Sequence, residues 1–187
     1  MTQTHLASVV GAAGAIVLIA AAAPYSQGPP PSHTGGFGNP TCQACHVGGP
    51  LNDPAGSFTV SGLPPAYTPG GEYELSIRLV RPYLTRGGFQ LAARFAEGDS
   101  AGSQAGALAA TGQAQDIVTG PMDVHYAQHT SDGTFATDGA LEWHVTWKAP
   151  THGRRSVVLH AAAIASNDDD SELGDAAYTG AWQLRGR

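Results

Sequence analysis

The first quarter of the chain has no charged side chain, because no Asp, Glu, Lys or Arg precedes Asp53. Charged residues make up only 13% of the 187 residues, and Lys148 is the only lysine. The arginines form no basic stripe longer than the pair Arg154-Arg155, and the formal net charge is −6. This shortage of positive charge excludes a nucleic-acid partner as the leading hypothesis.

The chain also lacks the patterns that mark common enzymes. It has no evident nucleophile–base pair and no paired-carboxylate signature. Its glycine-rich stretch Gly35-Gly36-Phe37-Gly38 lacks the strand and the helix that a phosphate-binding loop requires. The sequence therefore does not predict an enzyme.

Residues 1–23 predict an export segment. Leu6 to Ala23 is an almost unbroken apolar run that ends in small residues, as in a signal peptide. Met1 to His5 contains no Lys or Arg and Pro24 follows directly, so an uncleaved membrane anchor is the main alternative. About 18 apolar residues is near the lower limit for crossing a bilayer. Either interpretation, favoured over a buried core helix, places the protein in the periplasm or outside the cell.

Residues 24–40, with the sequence PYSQGPPPSHTGGFGNP, are rich in Pro, Gly and Ser and show no periodicity. This composition is typical of a linker that has no core of its own. We therefore predict a tether between the export segment and one folded domain over residues 41–187.

The only two cysteines of the chain lie in a CxxCH motif, formed by Cys42, Cys45 and His46. Two thiols at this spacing can each add to a vinyl group on one edge of a haem, and the adjacent histidine then becomes an iron ligand. Covalent attachment of haem takes place outside the cytoplasm, which agrees with the export segment. The motif predicts one covalently bound haem c.

Three other interpretations of Cys42 and Cys45 remain. A zinc site needs about four ligands and usually a second paired motif, which the sequence lacks. A redox dithiol is normally placed between a strand and a helix, whereas Gly and Pro surround this motif. A simple disulfide in an exported protein is the more serious alternative, although so short a loop stabilises little.

From Asp53 onward the pattern predicts β-strands. Residues 73–79, 89–95 and 141–147 alternate apolar and polar side chains, and 157–164 is a more continuous apolar run that suits a central strand. Residues 178–184 predict a last strand, and 101–115 predict a loop or a weak edge. Turn signals such as Pro69-Gly70-Gly71 and Asp132-Gly133 separate the strands. The fold class is therefore all-β, an antiparallel β-sandwich.

The stretch from Cys42 to Tyr178 resembles the reelin-like (Reeler, or "choice-of-anchor V") domains of secreted bacterial proteins. The matching pieces, in order, are TCQACHVGGP, FTVSGLPPAYTPGGEYELSI, GGFQLAAR, QHTSDGT, WHVTWKAP, VVLHAAAIASNDDDSELGD and AYT. The resemblance implies an immunoglobulin-like β-sandwich, and bacterial members of this kind often open with a CxxCH segment. His129 matches the histidine of the HT pair in the family pattern.

His129 is our candidate for the second iron ligand, because it follows a strand-like stretch and precedes a turn. Met122 and His33 are the alternatives, and an iron with a single protein ligand would favour sensing. The acidic loop over residues 167–175 carries enough oxygen ligands for calcium but lacks the EF-hand spacing, so a solvated turn is favoured.

These observations predict an exported monohaem c-type cytochrome that transfers single electrons to or from an unidentified redox partner protein. The net negative charge of the chain favours a partner with a basic surface. The alternatives are an extracellular binding or adhesion module with a structural haem or a disulfide, and a haem-based sensor or peroxidase-like protein.

Overall fold

A computed structural model describes residues 25–169 and 171–187. The predicted signal peptide or anchor, residues 1–23, lies outside the described residues. Within them, no helix combines the length and apolar character needed to cross a bilayer.

Ten β-strands of the described residues form two sheets. The smaller sheet has the order β1-β3-β8-β5 and the larger has the order β2-β10-β9-β4-β7-β6. Neighbours are antiparallel except β2 and β10, which are parallel. The prediction of an all-β sandwich is confirmed. The strands are β1 Ser57–Ser61, β2 Ala66–Tyr67, β3 Glu72–Val80, β4 Arg86–Phe95, β5 Ala107–Ala110, β6 Gln115–Thr119, β7 His125–His129, β8 Ala140–Lys148, β9 Ser156–Ser166 and β10 Ala176–Gly186.

Helical structure is limited to single 3₁₀ turns among the described residues, at Tyr25–Gln27, Cys42–Ala44, Pro121–Asp123 and Ser131–Gly133. Each lies in a connection between strands or before the first strand. The scaffold of any functional site is therefore the pair of sheets and the loops at their ends.

The alternating strands pack their apolar faces between the two sheets. Along β8, Leu141, Trp143, Val145 and Trp147 are buried while the residues between them are polar. Trp143 packs on Phe89 of the opposite sheet with ring centroids 4.7 Å apart. Its indole N–H donates to the Gly133 carbonyl at 2.8 Å, so this buried donor is satisfied.

The larger sheet is buried on both faces at its centre. Eight consecutive residues of β4 are buried, although only alternate ones face the sandwich core. The second face is covered by the segment 25–40, where Gln90 donates to the Pro30 carbonyl at 3.1 Å and accepts from the His33 amide at 2.7 Å. The described part of the predicted linker, residues 25–40, is therefore packed across the sheet, because its backbone groups hydrogen-bond to polar side chains.

β5 lies within residues 101–115, where the sequence predicts a loop or a weak edge, and β6 begins at the last residue of that stretch. β5 pairs with β8 at the edge of the smaller sheet, and β6 pairs with β7 at the edge of the larger one. Small residues and few alternating apolar positions explain why these strands carry little sequence signal. As edge strands, they hydrogen-bond to only one neighbour each.

Four connections meet at one end of the sandwich. Strand pairing places the loops 81–85, 130–139 and 167–175 there, because Arg86 pairs with Ser166 and is bridged to Phe135. The segment 47–56 reaches the same end, since Val47 is bridged to Leu173. The CxxCH motif directly precedes that segment, so the predicted haem site lies at this end of the fold.

Candidate functional site

The CxxCH motif forms a compact turn. Thr41 begins it, and its hydroxyl accepts a hydrogen bond from the Gln43 amide at 3.3 Å. The amides of Cys45 and His46 both donate to the Cys42 carbonyl, at 3.2 Å and 2.9 Å. The backbone therefore holds both thiols and the imidazole on a single turn, as attachment of one haem requires.

The turn is fixed to the sandwich by the β9–β10 loop. The Val47 amide donates to the Glu172 carbonyl at 2.9 Å, and the Gly174 amide donates to the Val47 carbonyl at 3.0 Å. Gly48 has φ +125°, and a Cβ there would lie 2.8 Å from the Gly174 nitrogen. This close approach of two backbones requires glycine at position 48.

His46 is held by a buried carboxylate from the other end of the sequence. Its Nδ1 lies 2.6 Å from Oδ2 of Asp175, whose side chain is fully buried. An ionised carboxylate only accepts hydrogen bonds, so Nδ1 is the donor of this pair. The Nε2 atom has no hydrogen-bond partner among the described residues, and its lone pair is available to an iron.

The two thiols differ in their surroundings. Cys45 is exposed and Cys42 is half-buried, and both are free thiols. Burial raises the pKa of the Cys42 thiol to about 12, and the neighbouring Cys45 adds to the effect. The thiolate is the reactive form of cysteine, so burial makes Cys42 the less reactive of the two thiols.

The acidic loop offers no preformed cation site in the described residues. Asp169 accepts hydrogen bonds from the side chain of Asn167 and the amide of Ser171, and Asp168 lies 3.6 Å from Arg86. Over residues 25–169 and 171–187, no three His, Cys, Asp or Glu side chains are grouped to hold a metal ion.

Exposed apolar side chains border the CxxCH turn. Val47, Leu51 and Leu173 are 49%, 38% and 62% exposed. Val47 and Leu51 follow His46 in the chain, and Leu173 is bridged to Val47. A haem is a flat, largely apolar group, so an apolar border of this kind suits it. The residues present at the turn thus fit a covalently held haem.

The structure does not bring His129 to this site. His129 is buried at the end of β7, which lies three strands from β10 in the sheet order, or about 14 Å at the usual strand spacing. Its Nδ1 accepts from the Phe89 amide at 3.0 Å, and its Nε2 lies 3.1 Å from the Tyr25 carbonyl. Both ring nitrogens are therefore engaged within the protein, and the ring joins the segment 25–40 to the sheet.

The other predicted ligands are also placed elsewhere. Met122 is 76% exposed in the loop between β6 and β7, at the opposite end of β7 from His129. His33 lies over the centre of the larger sheet, with its Nδ1 2.9 Å from the Pro30 carbonyl. Of the predicted site residues, the fold groups Cys42, Cys45 and His46. It adds Asp175, which the sequence shows only as one acid in a turn-forming loop.

Comparison with known proteins supports the fold. No protein-family model matches the chain, and no curated protein matches it. A solved Reelin-N domain of F-spondin is 19% identical, covers 78% of this chain and 95% of its own, and has a TM-score of 0.50. A human F-spondin reeler domain is 21% identical over 71% of this chain and 89% of its own, with a TM-score of 0.47. The chain therefore has a reelin-like β-sandwich fold.

Proposed function

We propose that this chain is an exported monohaem c-type cytochrome-like protein that transfers single electrons outside the cytoplasm. The observation that carries the proposal is the turn at Cys42–His46. It places an exposed thiol, a half-buried thiol and an imidazole on one turn at one end of the sandwich, and the Nε2 atom of that imidazole has no hydrogen-bond partner among the described residues. The predicted export segment at residues 1–23 supports a periplasmic or extracellular location, with or without membrane tethering.

In this proposal Cys42 and Cys45 would hold the haem through their sulfur atoms and His46 would supply a nitrogen ligand to the iron. The haem would supply one-electron chemistry when bound, since its iron takes up and releases one electron at a time. The protein's part would be to hold the two thiols on one turn and to keep His46 in one orientation. The sandwich carries the turn on the β9–β10 loop, which is anchored by backbone hydrogen bonds on both sides of Val47.

A protein with a basic surface is the redox partner that this end of the molecule favours. Exposed acids lie in the loops at this end, and the aromatic Tyr83 and Phe135 are 96% and 64% exposed there. The formal net charge of the chain is −6, and an excess of negative charge attracts a partner with a basic surface. The acids are Asp132, Asp138, Asp168, Asp169 and Glu172.

An extracellular binding module without haem is the second candidate function, and the reelin-like fold favours it. There the sandwich surface itself makes the contacts, and Cys42 and Cys45 are either free or joined. A haem sensor is the third, and an iron with His46 as its single protein ligand would favour it.

An absorption spectrum separates the three functions. The full chain is produced with export and haem-maturation machinery and measured oxidised, reduced and in alkaline pyridine, beside the variant C42A/C45A. We expect a covalent c-type haem spectrum that the double variant loses. A colourless wild-type protein would overturn the haem proposal and leave the binding module. A haem that is high-spin and binds carbon monoxide would replace electron transfer with sensing.

A further inference from the structure

We infer that Asp175 is a positioning residue for the haem iron: it orients His46 and lowers the reduction potential of the haem. This inference rests on the proposed function, because it concerns the same iron ligand. It goes further by assigning a role to a residue that is far from the CxxCH motif in the sequence.

The position of Asp175 is determined by the sheet. The residue comes directly before β10, which pairs with β9 from Ala176 opposite Ala165 onward. Its Oδ1 accepts a hydrogen bond from the Asn167 amide at 3.1 Å, so the carboxylate is held from the β9 side of the same loop. Its Oδ2 is then directed to His46 at 2.6 Å, although the two residues are 129 positions apart.

The burial of this pair gives the contact its strength. The Asp175 side chain is fully buried and the His46 side chain is 26% exposed. A hydrogen bond between an imidazole and a carboxylate is stronger when water is excluded from it. No other described side chain hydrogen-bonds to either Asp175 oxygen. Among the described residues, His46 is therefore the only side chain that hydrogen-bonds to this buried carboxylate.

The chemical consequence follows from the imidazole itself. With Nδ1–H donated to Asp175, the ring is fixed in the tautomer whose Nε2 lone pair can bind iron. The carboxylate pulls the Nδ1 proton toward itself and so makes Nε2 a stronger electron donor. Stronger electron donation by Nε2 stabilises ferric iron more than ferrous iron. The iron is then harder to reduce, so the reduction potential of the haem is lowered.

The test compares D175N with E172Q, which removes one exposed acid from the same loop without touching His46 or Asp175. In both holoproteins the haem content and the equilibrium potential are measured by spectroelectrochemistry. We expect D175N to bind haem covalently and to raise the potential, changing the oxidised-to-reduced ratio at fixed potential by tenfold or more, about 59 mV for one electron. E172Q should match the wild type. A D175N potential equal to that of the wild type and E172Q would overturn the inference.

A second measurement covers the case in which D175N does not fold or mature. In the reduced wild-type holoprotein, the Nδ1 proton of His46 is followed by NMR in exchange with deuterated water. Strong protection supports the contact with Asp175, and exchange at the rate of a free imidazole overturns the inference. Wild-type protein without haem would instead contradict the proposed function, and the same NMR measurement on that protein would still test the His46–Asp175 contact.

Discussion

Gly36 lies directly against the imidazole ring of His160, with no room for a side chain between them. A Cβ on Gly36 would be 2.3 Å from two ring atoms of His160. His160 points outward from β9, so this contact fixes the segment 25–40 on the outer face of the larger sheet. The same segment leads directly into the CxxCH turn. Its packing therefore contributes to the position of the predicted haem.

G36A should destabilise the protein because its methyl group must displace the His160 ring or the segment itself. Overpacking of this kind costs about 1–3 kcal/mol. The free energy of unfolding is measured by urea denaturation, with G49A as the control. A Cβ on Gly49 would make only an ordinary contact, 3.5 Å from the Asp175 carbonyl oxygen. Equal stability of G36A and G49A would show that the segment is not held against His160.

The stability of the fold should fall as the pH falls below about 6.5. Burial lowers the pKa values of His129 and His160 below their usual 6.5, and the charge of Arg94 adds to the effect at His160. The unfolded chain then binds more protons than the folded one, so protonation favours unfolding, by at most about 1.4 kcal/mol per pH unit at the buried His129 and by less at the partly exposed His160, where solvent screens the charge. The fold has its full stability at pH values above the pKa that these histidines have in the unfolded chain, about 6.5.

The measurement for this pH dependence is urea unfolding at pH 5, 6 and 7.5. H129Q should show a smaller slope than the wild type, whereas H144Q, which changes an exposed residue of β8, should keep the wild-type slope. Identical slopes for the wild type and H129Q would contradict the assignment of the effect to His129.

H129A should leave the haem absorption spectrum unchanged and lower the stability of the fold. The ring satisfies the Phe89 amide and the Tyr25 carbonyl, and a buried polar group without a partner costs about 1–3 kcal/mol. Spectra of oxidised and reduced holoprotein are compared with the wild type and with M122A, and unfolding is followed in parallel. A change from low-spin to high-spin iron in H129A alone would restore His129 as the second ligand.

Cys45 should react with iodoacetamide at least about tenfold faster than Cys42 in protein without haem at pH 8. Alkylation requires the thiolate, and burial raises the Cys42 pKa to about 12 while Cys45 is exposed. Peptide mass spectrometry measures each site over time, and urea-unfolded protein serves as the control in which the two rates converge. Equal rates in the folded protein would show that the Cys42 thiol is not buried.

The local pattern of apolar and polar residues was sufficient to predict the fold class. Alternation along residues 73–79 and 141–147 marks strands with one buried face, and β3 and β8 are found there. The continuous apolar run at 157–164 predicts a central strand, and β9 lies between β10 and β4. β5 lies in the stretch predicted as a loop or a weak edge, and β6 was not predicted, because edge strands of small or polar residues do not need a regular apolar face.

The sequence by itself determined that two thiols and an imidazole lie together at the CxxCH turn, because they belong to residues a few positions apart. Only the tertiary structure decided that Asp175 meets His46, that His129 lies three strands away, and that residues 25–40 cover the larger sheet. The physical reason is that periodicity reports which face of a strand is buried. It does not report which strands pair, and contacts between distant parts of the chain depend on that pairing.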